Sequence, residues 1–387
     1  MTSKESSLKR QNTITRVVCT FVFTLFTFFY LYYFQADLLT VMQHVFSKGQ
    51  THYEHFVGAV LITVVLLLIQ IGVVNLVKRT AIMWALTFVP SALCLTVLTD
   101  ARPQTTDGLI GFGPWVYVAS GLLALYALAL WGVRTSGLAK TLACQTCGNA
   151  RQLWVNMLVL LAVILMVCLG GNTNRTYHAR IHAEQCLAEN DADGALDVVK
   201  HIGSSDENLT MLTAYALSRK NALAENLFEY RLKGGAGALM PDGRAVKFEI
   251  LPDSSFYARL GGWYVQRMPT MKYLDYQRRH NRMNRMAADY LLCGYLMDGN
   301  LDAFAANISR YYTVNDSVSL PKHYREALTL YTHLHSAPRI IYKNNVMDAD
   351  FQDYQKLENS IANKTERKNA LRDTYGNTYW FYYQYRK

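Results

Sequence analysis

Five apolar runs follow one another in the first 170 residues, and no later part of the chain contains a comparable run. They span about residues 14–34, 56–77, 81–99, 115–133 and 152–170. Each approaches the roughly 20 residues that an α-helix needs to cross the hydrocarbon core of a bilayer. The pattern predicts an all-α chain: a transmembrane domain of five helices (residues 1–170) followed by a soluble, extracytoplasmic domain (171–387).

The first apolar run also has a feature of a cleavable signal peptide, because Lys4, Lys9 and Arg10 form a basic flank. The run is nevertheless longer than the apolar region of a signal peptide. Bulky Phe29 and Tyr30 also stand where small cleavage-site residues are needed. We therefore expect the first segment to be retained as a transmembrane helix.

Basic residues are distributed unevenly between the connections of the five segments. Nine Lys and Arg residues lie in the N-terminal arm and in the second and fourth connections, whereas the other two connections hold only Lys48 and Arg102. Cytoplasmic loops carry the excess of positive charge in membrane proteins. The bias predicts a cytoplasmic N terminus and, after five crossings, a C-terminal domain in the periplasm of a bacterial inner-membrane protein.

The net charge of +10 is divided between the two parts of the chain. Residues 1–170 contain 11 basic and 5 acidic residues, and the remainder contains 28 and 24. Much of the excess therefore follows from membrane topology, and an extracytoplasmic domain does not ordinarily meet nucleic acid. We predict the lipid bilayer as a partner and no nucleic-acid binding.

Cysteine usage predicts no cofactor and no disulfide-stapled scaffold. Only Cys186 and Cys293 fall in the soluble domain, so one disulfide at most is available there. Cys144 and Cys147 form a C-x-x-C pair in a predicted cytoplasmic loop. A zinc site needs four ligands and no second pair is present, so we interpret the pair as a coincidence of spacing.

Apolar residues in the soluble domain recur at the i, i+4, i+7 spacing of one helical face. The triplets are Ala195, Val199 and Ile202; Leu223, Leu227 and Tyr230; Phe256, Leu260 and Trp263; Phe304, Ile308 and Tyr311; and Tyr324, Leu328 and Tyr331. Two of them follow a shorter predicted helix and a polar turn, which is typical of an α-solenoid of the tetratricopeptide kind. The Gly- and Pro-rich stretch 234–253 interrupts the period and predicts a long loop.

Three short stretches carry a resemblance to known proteins. They are NLT at 208–210 with AYAL at 214–217, LAENLFEY at 223–230, and GALMP at 237–241. In these residues the chain resembles a family of uncharacterised bacterial multipass membrane proteins with C-terminal tetratricopeptide-like helices, mainly over residues 175–335. The resemblance implies the same two-part architecture. The family has no established catalytic residues, so the resemblance implies none here.

Candidate binding residues lie on the predicted repeat helices. We expect tyrosines to contribute to a partner-binding face, although most of them are also suited to a helical core. The candidates are Tyr215, Tyr230, Tyr290, Tyr295 and Tyr311. On one helix, Arg278, Arg282 and Arg285 would share a face and form a ridge for an anionic lipid or glycan. A solvated helix face is the alternative.

Two clusters near the predicted outer membrane boundary suggest chemistry, and each has a plainer interpretation. Asp37, Asp100 and Asp107 are candidates for acid–base catalysis on a lipid-linked substrate, or they cap helix ends. The first outer loop contains His44, His52 and His55. Histidines are common metal ligands, but three in a solvated loop are more often polar surface, so no metal is predicted.

The last ten residues, TYWFYYQYRK, are unusually aromatic. Such side chains favour membrane or protein interfaces, or they pack back over the last helix of the domain as a cap. Both alternatives stay open at this point.

The sequence as a whole predicts a membrane scaffold or adaptor. Helical-repeat surfaces present extended grooves rather than enclosed pockets, which favours the recognition of an envelope protein over catalysis. The alternative is an envelope enzyme or lipid-linked glycan factor with its site at the outer membrane surface.

Overall fold

The structure is a computed structural model, and it describes residues 3–77, 84–103, 110–135, 149–262, 268–314 and 320–386. Nearly all of its regular structure in these ranges is helical, which confirms the all-α prediction apart from one short pair of strands. The chain divides into two compact units, Met1–Asn174 and Arg175–Lys387. We refer to them as the N-terminal and C-terminal units.

The N-terminal unit is built from six helices and two short strands in the described ranges. The helices are α1 (Ser3–Phe29), extended by a π-helical turn Tyr30–Phe34, α2 (Ala36–Phe46), α3 (His55–Val77), α4 (Val89–Thr99), preceded by a 3₁₀ turn Trp84–Phe88, α5 (Trp115–Thr135) and α6 (Asn149–Gly170). Between α4 and α5, β1 (Ala101–Pro103) pairs antiparallel with β2 (Ile110–Phe112).

Four helical segments in the described ranges are long and apolar enough to cross a membrane. They are Thr13–Phe34, His55–Val77, Trp115–Gly132 and Leu153–Gly170. The predicted segment 81–99 differs, because its described part is a shorter apolar helix, Trp84–Thr99. Pro90 explains the late start of α4, since proline lacks the N–H of a helix interior and is tolerated in the first turn.

The central helix α4 packs against α3 through polar groups that are buried in the N-terminal unit. The Ser91 hydroxyl donates to the Leu66 carbonyl at 2.7 Å, and the Gln70 amide donates to the Thr87 hydroxyl at 3.0 Å. Residue numbers rise along one helix as they fall along the other, so the two segments run antiparallel. Such hydrogen bonds hold helices together where water is absent.

The same segment lies beside α6. The Ala85 N–H donates to the Asn156 side-chain oxygen at 3.0 Å, and the Asn172 N–H donates to the Thr99 carbonyl at 2.8 Å. Both numbers rise together, so 84–99 and α6 run parallel. Most of the α4 surface is covered by protein, and Leu93, like Thr99, has no exposed surface.

The C-terminal unit contains helices throughout. They are α7 (Arg175–Ala188), α8 (Ala192–His201), α9 (Glu207–Arg219), α10 (Leu223–Asn226), α11 (Asp253–Arg259), α12 (Thr270–Arg279), α13 (Arg285–Met297), α14 (Leu301–Ile308), α15 (Lys322–Leu334), α16 (Asn345–Ser360), α17 (Lys364–Tyr375) and α18 (Tyr379–Tyr385). Many helices pack against the next one in the chain, among them α7 on α8, α8 on α9, α13 on α14 and α14 on α15.

The predicted apolar triplets lie partly on these helices. Tyr324, Leu328 and Tyr331 are buried on α15 as expected. Ile202 and Tyr311, however, follow the ends of α8 and α14, and Trp263 lies outside the described residues. Helices this short leave the last member of an i, i+7 pattern beyond their final turn.

The Gly- and Pro-rich stretch 234–253 contains no long helix, but it is packed rather than open. Gly234 has a φ of 89°, a left-handed conformation that favours glycine, and leads into a 3₁₀ turn at Gly235–Leu239. Leu239 and Met240 are almost fully buried. The stretch therefore contributes to the core of the C-terminal unit.

Candidate functional site

A cleft that we call the acidic groove opens between α8, the end of α9 and the segment containing α10. It has a volume of about 570 Å³. The lining residues are Asp191, Asp193, Gly194, Leu196, Asp197, Lys200, Leu217, Lys220, Ala222, Asn226 and Tyr230. Leu196 and Leu217 are nearly buried and contribute the apolar part of the lining, whereas three aspartates and two lysines contribute its charged part.

The carboxylates of the acidic groove differ in their local partners. Asp191 is the N-cap of α8 and accepts the Gly194 N–H at 2.8 Å. Asp193 forms an ion pair with Lys220. Asp197 lies 3.3 Å from the His201 ring, and its side chain is 71% exposed. The Asp193 side chain is slightly more exposed, at 78%, but it is paired with Lys220. Asp197 is therefore the carboxylate of these three that neither caps a helix nor pairs with a lysine.

Tyr230 closes one side of the acidic groove. Its side chain is half-buried, and that burial raises the pKa of the phenol, with the Glu229 carboxylate adding to the effect. Asp193 and Asp197 act in the same direction, whereas Lys220 opposes them. The phenol therefore stays protonated at neutral pH and combines a hydrogen-bond donor with an apolar ring. Of the five predicted tyrosines, Tyr230 is the one that lines this groove.

A second cleft, which we call the basic cleft, lies where the α12–α13 connection, the start of α13 and the end of α14 meet. Its volume is about 370 Å³. It is lined by Met283, Asn284, Arg285, Ala288, Tyr311, Tyr312 and Thr313. Arg285 and Tyr311 were predicted as binding residues, and the structure brings them together here.

The predicted arginine ridge is wrong in its geometry, because the three arginines do not share one helix. Helix α12 ends at Arg279, and α13 begins at Arg285. Asn281 between them has a φ of 53°, a left-handed conformation that ends a helix. Arg278 is held by Asp275 through its Nε at 2.9 Å, and Arg282 lies exposed in the connection.

Asp289 on α13 accepts hydrogen bonds from the hydroxyls of two tyrosines. Tyr312 donates to its Oδ1 at 2.6 Å, and Tyr324 donates to the same oxygen at 2.9 Å. Burial raises the pKa of Asp289, whereas the two phenol donors and Arg285 oppose that effect. Sequence reasoning missed this residue. The available signal was a single carboxylate within the apolar stretch of α13.

Two predicted binding tyrosines belong to the core. Tyr215 is 2% exposed and packs against Phe248 and Phe256, and Tyr290 has no exposed surface. Neither ring is available to a partner in this structure, which is the alternative that helical burial suggested. Tyr295 is partly buried and packs against the same core.

Asp100 acts as a structural cap rather than an open carboxylate. It is fully buried, one oxygen accepts the Trp115 N–H at the start of α5 at 3.0 Å, and the other accepts Arg102 Nε at 2.8 Å. This is the capping interpretation of the three aspartates. Asp37 lies in the first turn of α2, where its charge favours the helix N-terminus. Asp107 lies outside the described residues.

The structure does not bring His44, His52 and His55 together as a group of possible ligands. Within the described ranges, no group of three or more His, Cys, Asp or Glu side chains is placed to hold an ion. His55 Nε2 lies 3.3 Å from the Thr40 hydroxyl, and His44 lies beside Gly49, while His52 contributes its backbone carbonyl to Gln43. Cys144 and Cys147 lie outside the described residues. Cys186 and Cys293 are not joined by a disulfide.

The aromatic C terminus packs back on the domain. Tyr379 is fully buried and donates its hydroxyl to the Leu296 carbonyl at 3.1 Å. The Trp380 indole donates to the Glu326 carbonyl at 2.8 Å. The structure therefore favours the cap over the membrane-interface alternative.

Comparison with known protein families gives a match to part of the chain. A model described as a family of unknown function (DUF6057) matches residues 265–386. This agrees in part with the predicted resemblance to an uncharacterised family. No curated protein and no solved structure matches the chain. The matched residues include the basic cleft and exclude the acidic groove.

Proposed function

We propose that this chain is an integral membrane scaffold or adaptor whose C-terminal unit binds an envelope protein through the acidic groove. One observation carries the proposal: an open groove of about 570 Å³ whose lining combines apolar side chains, more carboxylates than lysines, and Tyr230. This combination suits an extended segment with an alternating apolar and Lys or Arg pattern. Apolar anchors give affinity in such interfaces, and complementary charge gives orientation.

The membrane part of the proposal is a bundle of five crossings, with Trp84–Thr99 as the third. Its antiparallel pairing with α3 and parallel pairing with α6 support this topology. Sixteen residues extend about 24 Å as a helix, less than the roughly 30 Å hydrocarbon core. Because neighbouring helices enclose most of this segment, its ends need not reach the lipid headgroups unaided.

Five crossings agree with the charge distribution. They place the nine basic residues of the arm and the second and fourth connections at one end, and Lys48 and Arg102 at the other. The positive-inside rule then assigns a cytoplasmic N terminus and a periplasmic C-terminal unit in a bacterial inner membrane.

The repeat character of the C-terminal unit is part of the same proposal. The neighbouring pairs α7 on α8 and α8 on α9 resemble the stacked hairpins of a tetratricopeptide array, in which each helix contacts its neighbours. The acidic groove lies at this N-terminal end of the unit. Such arrays commonly bind peptides along an exposed face of the stack.

The test is site-specific photo-cross-linking in cells. A benzoyl-phenylalanine residue replaces Tyr230 in the tagged full-length protein, and the same residue at Lys356 on α16 serves as the control. Lys356 is highly exposed and lies outside the groove. We expect an adduct of defined mass from position 230 that position 356 does not give.

The charge requirement is tested in the same cells. Asp197→Asn should reduce the yield of the adduct about tenfold, because hydrogen bonds to charged groups contribute about 1.5–3 kcal/mol. The matched variant Asp353→Asn removes an exposed carboxylate of α16 and should leave the yield unchanged. Equal adducts from positions 230 and 356, or no adduct from position 230, would contradict the proposal.

The enzyme alternative has less support in the described residues. Both side-chain oxygens of Asp100 are occupied by structural hydrogen bonds. If cells that carry Asp37→Asn or Asp107→Asn keep the wild-type phenotype, the enzyme alternative loses its remaining support. Loss of that phenotype with a stable, correctly inserted protein would favour the enzyme.

A further inference from the structure

One arginine, Arg285, lines the basic cleft, and Arg282 and Arg310 directly precede lining residues along the chain. Arg278 and Arg279 share the carboxylate of Asp275. In contrast, Arg282, Arg285 and Arg310 are exposed and have no carboxylate within 4.0 Å among the residues that the structure describes. Arg285 is still attracted by the Asp289 carboxylate and the Tyr312 hydroxyl. The excess of positive charge over this part of the surface favours the binding of an anion.

Arg285 is the arginine that lines the cleft itself. It stands at the first position of α13, directly after the N-cap Asn284. The planar guanidinium presents several N–H donors in a fork that matches the oxygens of a phosphate. Thr313 is a further polar residue in the lining of the same cleft. The partial positive charge at the start of α13 adds to the effect of these side chains.

Hydrogen bonds fix the two tyrosines that line the basic cleft. Tyr312 donates its hydroxyl to Asp289, and Tyr311 donates to the Met283 sulfur at 3.1 Å. Both phenols are therefore engaged, so each tyrosine offers its ring rather than a free donor to a ligand. Asp289 itself does not line the cleft, and its Oδ1 is covered by Tyr312 and Tyr324. It acts as a positioning residue.

We propose that the basic cleft binds the phosphate group of a small anionic ligand, with the Arg285 guanidinium as its main contact. The volume of about 370 Å³ lies at the lower end of the range for ligand sites, which suits a phosphate on a short carrier such as glycerol. The tyrosine rings pack against the carrier. A lipid headgroup and a free phosphate share this chemistry, and the site is independent of peptide binding in the acidic groove.

The experiment measures binding to the full-length protein in an uncharged detergent. Isothermal titration at constant ionic strength uses three probes: inorganic phosphate, glycerol 3-phosphate and water-soluble dihexanoyl phosphatidylglycerol. We expect saturable binding of at least one probe. Binding of the lipid alone identifies a headgroup as the source, whereas binding of all three probes with similar affinity identifies the phosphate as sufficient.

Three variants distinguish the cleft from general attraction to a basic surface. Arg285→Gln should weaken binding by about tenfold or more, and Arg285→Lys, which keeps the charge without the fork, should weaken it less. Arg279→Gln is the matched control, because Arg279 is nearby and exposed but pairs with Asp275 outside the cleft. Its affinity should stay within about twofold of the wild type.

Two outcomes would overturn this proposal. One is the absence of saturable binding for all three probes. The other is an equal loss of affinity in Arg285→Gln and Arg279→Gln, which would mean that the arginines act only through their summed charge. Circular dichroism of each variant separates a loss of binding from a loss of fold.

Discussion

At the scale of single residues, buried carboxylates join distant segments of this chain. Glu184 on α7 has no exposed surface, and it accepts the backbone N–H groups of Glu249, Ile250 and Leu251 at 2.6–3.0 Å. Arg180, one turn earlier, pairs with Glu249 at 2.8 Å. Glu184 therefore pins the end of the Gly- and Pro-rich stretch to α7.

Glu184 should make stability depend on pH in an unusual direction. Burial raises the pKa of Glu184 from 4.5 to about 7, although the backbone donors and Arg180 favour the charged form. The folded state then binds a proton that the unfolded state releases between those values. The contribution of this proton to the free energy of unfolding is therefore complete below pH 4.5. It is lost as pH rises through about 7, which lowers the free energy of unfolding by roughly 3 kcal/mol.

The measurement is urea unfolding of the detergent-solubilised protein from pH 4.5 to 8, followed by near-ultraviolet circular dichroism of the buried tyrosines. Glu184→Gln should flatten the fall in unfolding free energy, because the amide does not ionise. Glu366→Gln, an exposed carboxylate on α17, should keep the wild-type slope. An unchanged slope in Glu184→Gln would show that this carboxyl does not titrate over the range.

At the scale of elements, α18 closes the C-terminal end of the core. Phe228 packs against Tyr379 with ring centroids 4.9 Å apart, and Trp380 packs against Phe351 at 5.1 Å. The Tyr379 N–H also donates to the Glu326 carboxylate at 2.7 Å, which in turn holds the buried His323 ring at 2.9 Å. One short helix thus covers apolar surface and completes a buried polar network.

Removing the Trp380 ring should destabilise the C-terminal unit strongly. Trp380 is 3% exposed, and large-to-alanine changes at such positions cost about 3–5 kcal/mol. Tyr383→Ala is the comparison within the same helix, because Tyr383 is only partly buried and packs against Arg386 and the edge of the core. It should cost clearly less than Trp380→Ala. Thermal unfolding measures both, and equal small effects would mean that α18 is not docked in solution.

At the scale of the whole molecule, the number of crossings decides where the C-terminal unit lies. Five crossings place it on the side opposite to the N terminus, whereas four would place both on the same side. The shorter segment Trp84–Thr99 is the deciding element.

Reporter fusions test that element directly. Alkaline phosphatase and green fluorescent protein are fused in turn after Val77, Gly113 and Asn174. We expect the phosphatase to be active after Gly113 and Asn174 only, and the fluorescent protein to be bright after Val77 only. If the fusions after Val77 and Gly113 give the same reporter activities, α4 does not cross the membrane. A bright fluorescent fusion after Asn174 would contradict a periplasmic C-terminal unit.

Local properties of the chain were predictable from the sequence, because hydropathy and spacing depend on neighbouring residues alone. The predicted run 56–77 corresponds to α3 at His55–Val77, and the Tyr324, Leu328 and Tyr331 face is the buried face of α15. The prediction of an all-α chain also followed from these patterns. The predicted run 81–99 agrees less well, because α4 begins only at Val89, with Pro90 in its first turn, and Trp84–Phe88 form a 3₁₀ turn.

Tertiary structure alone decided which polar and aromatic residues reach the surface. The sequence does not distinguish Tyr215 from Tyr311. In the structure, other helices cover Tyr215, whereas Tyr311 follows the end of α14 and lines the basic cleft. Asp100 is a cap because the start of α5 lies against it, and the arginine ridge is divided by the turn at Asn281. Burial and convergence depend on which segments pack together, and periodicity within one segment carries no information about that packing.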